Sequence, residues 1–222
     1  MGPQLDFGVV FEHLPDLLWG CFGTFGLAFA GMVLATVIGI GGVLTRRSGF
    51  RVVRQSTIAF IEIIRNTPFL VQIFFLFFAL PGLGLRLSPT ATAIIALGIN
   101  GGAYAIEIIR GGVQSIPPGQ SEAGLALGLH KAQVFRLIVL KPALRAIFPA
   151  LTSQFILLTL TTSICSSVAA YELTSVAQRI ESDTFRSFEV YFTITLMYLL
   201  ISWVMMTLFA AIARRQFAYP LQ

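Results

Sequence analysis

The sequence predicts an all-α membrane protein with five transmembrane helices. A helix needs about 20 mainly apolar residues to cross the hydrocarbon core of a bilayer, and five segments of the chain meet that requirement. They run approximately over Leu17–Leu44, Ile58–Leu80, Thr90–Ile109, Ala146–Ala170 and Tyr191–Ala213. Because they occupy more than half of the 222 residues, we expect residues 1–222 to form a single transmembrane domain.

The composition supports the same class. Only 11% of residues are charged and 56% are hydrophobic, whereas a soluble domain carries about 25% charged residues. This excludes an ordinary soluble enzyme and a disordered regulator. The net charge of +5 raises the alternative of nucleic acid, but the positions of the charges favour a membrane, so we expect no nucleic-acid partner.

The basic residues predict the orientation. Cytoplasmic loops of membrane proteins are enriched in Lys and Arg, and one set of loops and helix ends holds 12 of the 15 basic residues. The other side holds only Arg86, Arg179 and Arg186. The sequence therefore predicts an external N-terminus and a cytoplasmic C-terminus. Residues 1–10 contain no Lys or Arg, unlike a secretory signal, so we expect the first span to remain in the membrane.

A cytoplasmic insert over residues 111–145 separates the third and fourth spans. Pro117-Pro118-Gly119 is a strong turn signal, and Ser121 is suited to cap a helix over Glu122–Leu129. Gly128 and His130 mark the end of that helix, and a second helix follows over Lys131–Leu140. A loop that only joins two spans does not need two helices of its own, so we expect this unit to fit a groove on another protein.

The insert also carries a motif. It reads Glu122-Ala123-Gly124, then Gly128, and then, after nine intervening residues, Ile138 and Leu140. This resembles the EAA loop of ABC importer permeases, with Gly124 in place of the second alanine and Lys141 in place of the proline. Residues 61–68, IEIIRNTP, and residues 96–129, ALGINGGAYAIEIIRGGVQSIPPGQSEAGLALGL, are similar to the polar amino-acid subfamily. The chain departs from this subfamily at one place: Leu160-Thr161 precede Thr162-Ser163, whereas relatives often have a Lys-Asp pair before the Thr-Ser.

The resemblance implies a type I ABC importer permease fold in a bacterial inner membrane. It also implies a second permease subunit, two ABC ATPase subunits, an external solute-binding protein and a polar amino-acid substrate. The residues assigned to ATPase coupling are Glu122, Ala123, Gly124, Gly128 and Arg136. An importer of another small solute, such as an osmolyte or methionine, stays open as an alternative, as does a passive channel or scaffold.

The chain itself is not predicted to be an enzyme. It contains no G-x-x-x-x-G-K-[ST] loop, which is the phosphate-binding element of many ATPases, and we assign no catalytic residues. His13 and His130 lack the spacing of metal ligands. We therefore expect no metal and no cofactor, and ATP hydrolysis by the partner subunits.

Charged residues recur at the ends of two spans. The pentapeptide Ile-Glu-Ile-Ile-Arg occurs at residues 61–65 and 106–110, and Glu and Arg three positions apart on a helix can pair. One interpretation is two local ion pairs, Glu62 with Arg65 and Glu107 with Arg110. The other is a cross-paired network that holds an inner gate.

Neutral polar residues predict a substrate pathway. Asn100 and Tyr104 share one face of the third span with Glu107, and Gln72, Thr162 and Ser163 lie within neighbouring spans. They either bond helix to helix or line a route for a zwitterion, within each bundle or between two subunits.

The external stretch 171–188 places Leu173, Val176, Ala177 and Ile180 at helical spacing. It is either an interfacial helix packed on the outer surface or an outer gate or docking surface.

Overall fold

The computed structural model of the protein describes residues 5–216. All regular secondary structure in this range is helical. The α-helices are α1 (Gly8–Glu12), α2 (Leu14–Arg46), α3 (Arg51–Arg65), α4 (Phe69–Phe74), α5 (Pro89–Gln114), α6 (Pro118–Ala126), α7 (Lys131–Val134), α8 (Leu140–Thr161), α9 (Leu173–Thr184) and α10 (Ser187–Gln216). A π turn (Phe75–Ala79) and a 3-10 turn (Leu80–Leu83) extend α4, a π turn (Phe135–Val139) joins α7 to α8, and a 3-10 segment (Thr162–Val168) follows α8.

Among the described residues, three helices are long and apolar enough to cross a membrane, namely α2, α5 and α10. A fourth is counted if α3 and the segment Phe69–Leu83 form one bent span. The predicted first, third and fifth spans lie inside α2, α5 and α10. The fourth predicted span corresponds to α8 and its 3-10 segment. α8 is not among the helices that this test of length and hydropathy counts, so the test does not reproduce the predicted number of five spans.

The prediction of a continuous second span is wrong. α3 ends at Arg65 and α4 begins at Phe69. The axis of α3 and that of the segment Phe69–Leu83 differ by 109°. Pro68 lacks a backbone N–H and disfavours a helical conformation in the residue before it. The chain is therefore bent within the segment that hydropathy alone marks as one helix.

Helix α5 lies at the centre and packs along the length of α2. Small residues permit this close approach: a Cβ atom on Gly98 would lie 2.4 Å from Leu34 Cδ2, and one on Gly31 would lie 2.8 Å from Leu97 Cβ. α8 and α3 pack against other sides of α5. Since α5 touches α2, α3 and α8, its polar face is held in a fixed relation to the bend between α3 and α4.

The ends of the insert differ from the prediction. α5 continues to Gln114 and α8 begins at Leu140, so the part outside these long helices is 115–139 rather than 111–145. α6 begins at Pro118, not after Ser121, because proline is well suited to the first helical position. Glu122 consequently lies in the middle of α6 rather than in its first turn.

Candidate functional site: the helix bend, the charge cluster and the cytoplasmic insert

The side chain of Gln72 stabilises the bend between α3 and α4. The break leaves backbone carbonyls without helical partners, and the Gln72 side-chain amide Nε2 lies 2.8 Å from the Ile64 carbonyl oxygen and 3.0 Å from that of Thr67. Thr67 Oγ1 also donates to the Ile63 carbonyl at 2.8 Å. The bend is therefore stabilised by side-chain hydrogen bonds.

The polar face of α5 meets this bend. Asn100 Nδ2 donates to Gln72 Oε1 at 3.0 Å, and one turn further along α5 the Arg65 guanidinium lies 5.2 Å from the centre of the Tyr104 ring. We call Arg65, Gln72, Asn100 and Tyr104 the bend cluster. It combines a cation, an amide pair and a phenol, which can donate to a carboxylate and accept from an ammonium group.

Thr162 and Ser163 do not join the bend cluster through hydrogen bonds. The Thr162 hydroxyl donates to the Thr159 carbonyl at 2.7 Å, and the Ser163 hydroxyl donates to the Leu160 carbonyl at 2.8 Å. Thr162 is fully buried and Ser163 half-buried. Their 3-10 segment packs against α4 and α5, and the two hydroxyls bond to their own backbone.

One of the two predicted local ion pairs is present. Glu107 accepts from Arg110 Nε at 3.1 Å, and its other carboxylate oxygen accepts from Arg46 at the end of α2. The partner Arg46 was not predicted, because a contact between residues 61 positions apart leaves no trace in local spacing. We call Arg46, Glu107 and Arg110 the charge cluster; it ties the ends of α2 and α5 together.

The other predicted pair, Glu62 with Arg65, is wrong. In the described structure Arg65 points to the Tyr104 ring, and the Glu62 carboxylate accepts only a long contact from Asn66 Nδ2, at 3.3 Å. Both residues are exposed, and an exposed ion pair contributes little stability. A guanidinium over an aromatic face contributes about 0.5–1 kcal/mol at an exposed site, which is at least as much as an exposed ion pair contributes.

The insert forms a compact helical hairpin. Gly128 adopts a φ of +83°, the Gly128 N–H donates to the Leu125 carbonyl at 3.0 Å, and the Leu129 N–H donates to that of Gly124 at 3.1 Å. This is the Schellman pattern, which favours glycine. His130 then caps α7, with its backbone N–H donating to Gln133 Oε1 at 3.0 Å. The predicted helix end at Gly128 and His130 is confirmed.

Gly124 explains one departure from the EAA pattern. It is buried, and a Cβ atom there would lie 2.5 Å from Ile138 Cδ1 and 3.1 Å from Val134 Cγ2. The glycine thus allows α6 to lie directly on the α7–π turn segment. Glu122 and Ala123 are exposed on α6, Leu127 is exposed directly after it, and Arg136 is exposed on the π turn. The hairpin therefore holds its own core while presenting an open outer surface.

On the opposite end of the molecule, α9 packs on α2 and α10. Leu173, Val176, Ala177 and Ile180 are all buried there, which confirms the predicted apolar face and its packing on the bundle.

Sequence reasoning missed the polar contacts that hold α9 in place. Glu172 caps α9 by accepting from the Ser175 N–H at 2.6 Å, and it also accepts from the Tyr198 hydroxyl at 2.7 Å. Burial raises the pKa of the Glu172 carboxyl, although these donors act in the opposite direction.

Comparison with known proteins identifies the family. The model of the binding-protein-dependent transport system inner membrane component matches residues 31–217. The chain belongs to this family. The permease is 36% identical over 214 residues to the glutamine transport system permease protein GlnP of Escherichia coli K12, covering 96% of this chain and 98% of the relative.

Solved structures agree with that assignment. The permease matches a chain in the crystal structure of an amino acid ABC transporter with histidines at a TM-score of 0.91 and 31% identity, covering 96% of this chain and 100% of the other. A chain of the inward-facing MetNI methionine ABC transporter matches at a TM-score of 0.76 and 20% identity, covering 92% and 97%. The second likeness concerns the fold alone. The predicted fold of type I ABC importer permeases is confirmed.

Proposed function

We propose that the permease is the membrane subunit of an ATP-driven importer for polar amino acids in a bacterial inner membrane. The observation that carries this proposal is its similarity over nearly the whole chain to a glutamine permease and to a chain of an amino acid transporter. In this proposal it works with a second permease subunit, two ABC ATPase subunits and an external solute-binding protein. It hydrolyses no ATP itself.

The bend cluster is proposed as part of the amino-acid pathway. A zwitterion offers a carboxylate and an ammonium group, and Asn100, Tyr104 and Gln72 supply neutral donors and acceptors beside the Arg65 guanidinium. Polar groups at membrane depth are costly unless they serve a structure or a pathway. Thr162 and Ser163, in the neighbouring 3-10 segment, are assigned to the same pathway. To contact the substrate, their hydroxyls would have to rotate away from the backbone carbonyls that they now bond.

The insert is proposed as the docking site of an ATPase. Glu122 and Ala123 lie on its exposed surface, while Gly124 allows its helices to pack closely and Gly128 allows the turn between them. Arg136 adds a positive charge beside a shallow cavity of about 450 Å³ that also involves His130 and Gln133. A rigid hairpin can transmit a movement of the ATPase to α5 and α8, between which it lies.

Exchange of one exposed charge tests this docking. Glu122→Lys changes the outer surface of α6 without entering a packed core, so we expect the permease to reach the membrane but to lose its ATPase during purification. The matched control is Glu12→Lys, an exposed glutamate on α1. Equal ATPase recovery with both variants would contradict the docking assignment.

The charge cluster is proposed as part of an inner gate. Glu107 bonds to Arg110 within α5 and to Arg46 of α2, so separation of the two helix ends must break the contact with Arg46. Among the described residues, the Glu62 carboxylate accepts only the 3.3 Å contact from Asn66. Alternating access in transporters requires helices to move relative to each other, and this ion pair crosses between two of them.

The orientation is proposed from the basic residues, with the N-terminus outside and the C-terminus in the cytoplasm. A cysteine introduced at Ser48, in a chain whose Cys21 and Cys165 are replaced by alanine, should be protected from an impermeant reagent in intact cells. A cysteine at Ser182 should react. The reverse labelling pattern would overturn the orientation.

Uptake by proteoliposomes tests the substrate class. The permease, reconstituted with its ATPase and binding protein, should accumulate labelled glutamine or another polar amino acid only when ATP is supplied. Methionine and an osmolyte serve as competing solutes. ATP-independent equilibration would instead favour a passive channel, and accumulation of the competitors alone would favour another importer class.

A further inference from the structure

A large apolar groove lies between α2, α8 and α10, away from the bend cluster. Its volume is about 880 Å³, within the range of roughly 300–1,000 Å³ typical of small-molecule sites. The walls are formed mainly by aromatic and aliphatic side chains, including Phe25, Phe29, Val33, Leu151, Phe155 and Leu208.

The groove is separate from the proposed amino-acid route. One face of α2 turns Gly31, Ala35 and Gly39 towards α5, and a different face turns Phe29 and Val33 into the groove. α2 therefore divides the two regions.

The groove offers few free polar atoms to a ligand. Thr36 Oγ1 donates to the Met32 carbonyl at 2.8 Å, and Thr152 Oγ1 donates to the Pro149 carbonyl at 2.9 Å. Both hydroxyls are thus committed to their own helices. A zwitterion would be poorly solvated on these walls, whereas a hydrocarbon chain would match them.

The groove continues towards a basic end. A second cavity of about 270 Å³ shares Phe148, Thr152 and Phe209 with the groove and extends it to Pro149 and Ala213. The next residues along α10 are Arg214 and Arg215, both exposed. On the antiparallel helix α8, Arg145 lies one turn before Pro149. Arginines at a membrane interface can hold phosphate groups while their stems lie on apolar surface.

Charge favours a lipid over a second copy of the chain as the occupant. α8 contains no acidic residue, and the acidic residue of α10, Glu189, lies at the far end of that helix. The same surface of a second copy would be equally basic and could not neutralise these arginines. An anionic phospholipid supplies both the acyl chain and the negative charge.

We propose that this groove binds an acyl chain of an anionic phospholipid, whose phosphate is held by Arg214 and Arg215. The site lies in the leaflet that contains the last turn of α10. It is a specific lipid site and differs from the general contact of apolar helices with the bilayer.

Gly26 provides a direct test. It lines the groove, and a Cβ atom there would have no heavy atom within 4 Å. Gly26→Leu should therefore place its side chain in the groove, with a Cβ atom that contacts no neighbour. Gly41→Leu is the matched control, because Gly41 lies on the same helix with the same free space and does not line the groove.

Native mass spectrometry of the purified full-length complex measures the phospholipid that each variant retains. We expect the wild type and Gly41→Leu to retain phosphatidylglycerol and Gly26→Leu to lose most of it. Equal retention by all three would overturn the proposal. Loss of the second permease copy from Gly26→Leu, with lipid unchanged, would show that the groove is a protein interface.

The headgroup assignment has an independent test that leaves the groove intact. Wild-type complex titrated with phosphatidylglycerol and phosphatidylcholine should bind the anionic lipid in preference. The double variant Arg214→Gln/Arg215→Gln should lose that preference. Equal binding of the two lipids by the wild type would refute the anionic site even if Gly26→Leu proved unstable.

Discussion

Replacing Gln72 with methionine removes the side-chain hydrogen bonds that stabilise the bend between α3 and α4, while preserving the length of the side chain. The Gln72 amide Nε2 has two hydrogens and lies within hydrogen-bond distance of the Ile64 and Thr67 carbonyls, at 2.8 and 3.0 Å. Gln72 Oε1 also accepts from Asn100 at 3.0 Å. Nε2 also lies 2.8 Å from Thr67 Oγ1, so its two hydrogens are shared among three acceptors. Gln72→Met therefore removes the equivalent of three hydrogen bonds, two donated by Nε2 and one accepted by Oε1, and leaves two backbone carbonyls at the break without this donor.

These contacts set the size of the expected effect. Side-chain hydrogen bonds in membrane proteins contribute about 0.6 kcal/mol each on average, so three amount to about 2 kcal/mol. For a chain of this length, 1 kcal/mol corresponds to a change of about 2–4 °C in Tm. We expect Gln72→Met to lower the Tm by about 4–8 °C. Asn100→Leu breaks one of the three bonds and should lower it by about a third as much.

Thermal unfolding of the purified permease, followed through the fluorescence of its two tryptophans, measures this change. Gln55→Met is the matched control: Gln55 lies on α3 and its exposed side chain makes no hydrogen bond in the described structure. A Gln72→Met protein that melts at the same temperature as Gln55→Met would refute the role of Gln72 in holding the bend.

Two further predictions concern packing and the gate. Gly23→Ala should destabilise the protein by about 1–3 kcal/mol, an overpacking cost, because the new Cβ atom would lie 2.7 Å from the Tyr171 carbonyl oxygen; Gly41→Ala has free space and should leave the Tm unchanged or raised. Glu107→Gln should raise ATP hydrolysis in the absence of binding protein, because it weakens the tie between α2 and α5. Glu62→Gln, the same change in the matching pentapeptide, should not. A phosphate-release assay that finds equal rates for both would contradict the gate assignment.

Local patterns predicted the parts of the fold that local physics determines. The 3.6-residue spacing of Leu173, Val176, Ala177 and Ile180 predicted the buried face of α9 because a helix places those positions on one side. Gly128 predicted a helix end because glycine adopts positive φ without strain. The break at Pro68 also had a local signal, but the apolar residues on both sides of it favoured one continuous span.

The contacts between distant segments could not be predicted in the same way. Arg65 had a glutamate at the ideal spacing on its own helix, yet it contacts Tyr104, because the bend brings α3 against α5. Asn100 and Gln72 were both selected as polar residues, but only the bend explains why their amides meet. Thr162 and Ser163 show the opposite case, since their hydroxyls bond to the carbonyls of their own helix.

Transport per folded complex by Asn100→Leu tests the central claim most directly. The claim is that the bend cluster belongs to the amino-acid pathway and is more than a contact between helices. ATP-dependent uptake by proteoliposomes is divided by the amount of folded complex, and ATPase association is measured on the same sample. The account predicts a large loss of uptake with ATPase association retained and only a small fall in Tm. Unchanged uptake per folded complex, accompanied by a lower Tm, would contradict it and leave Asn100 with a purely structural role.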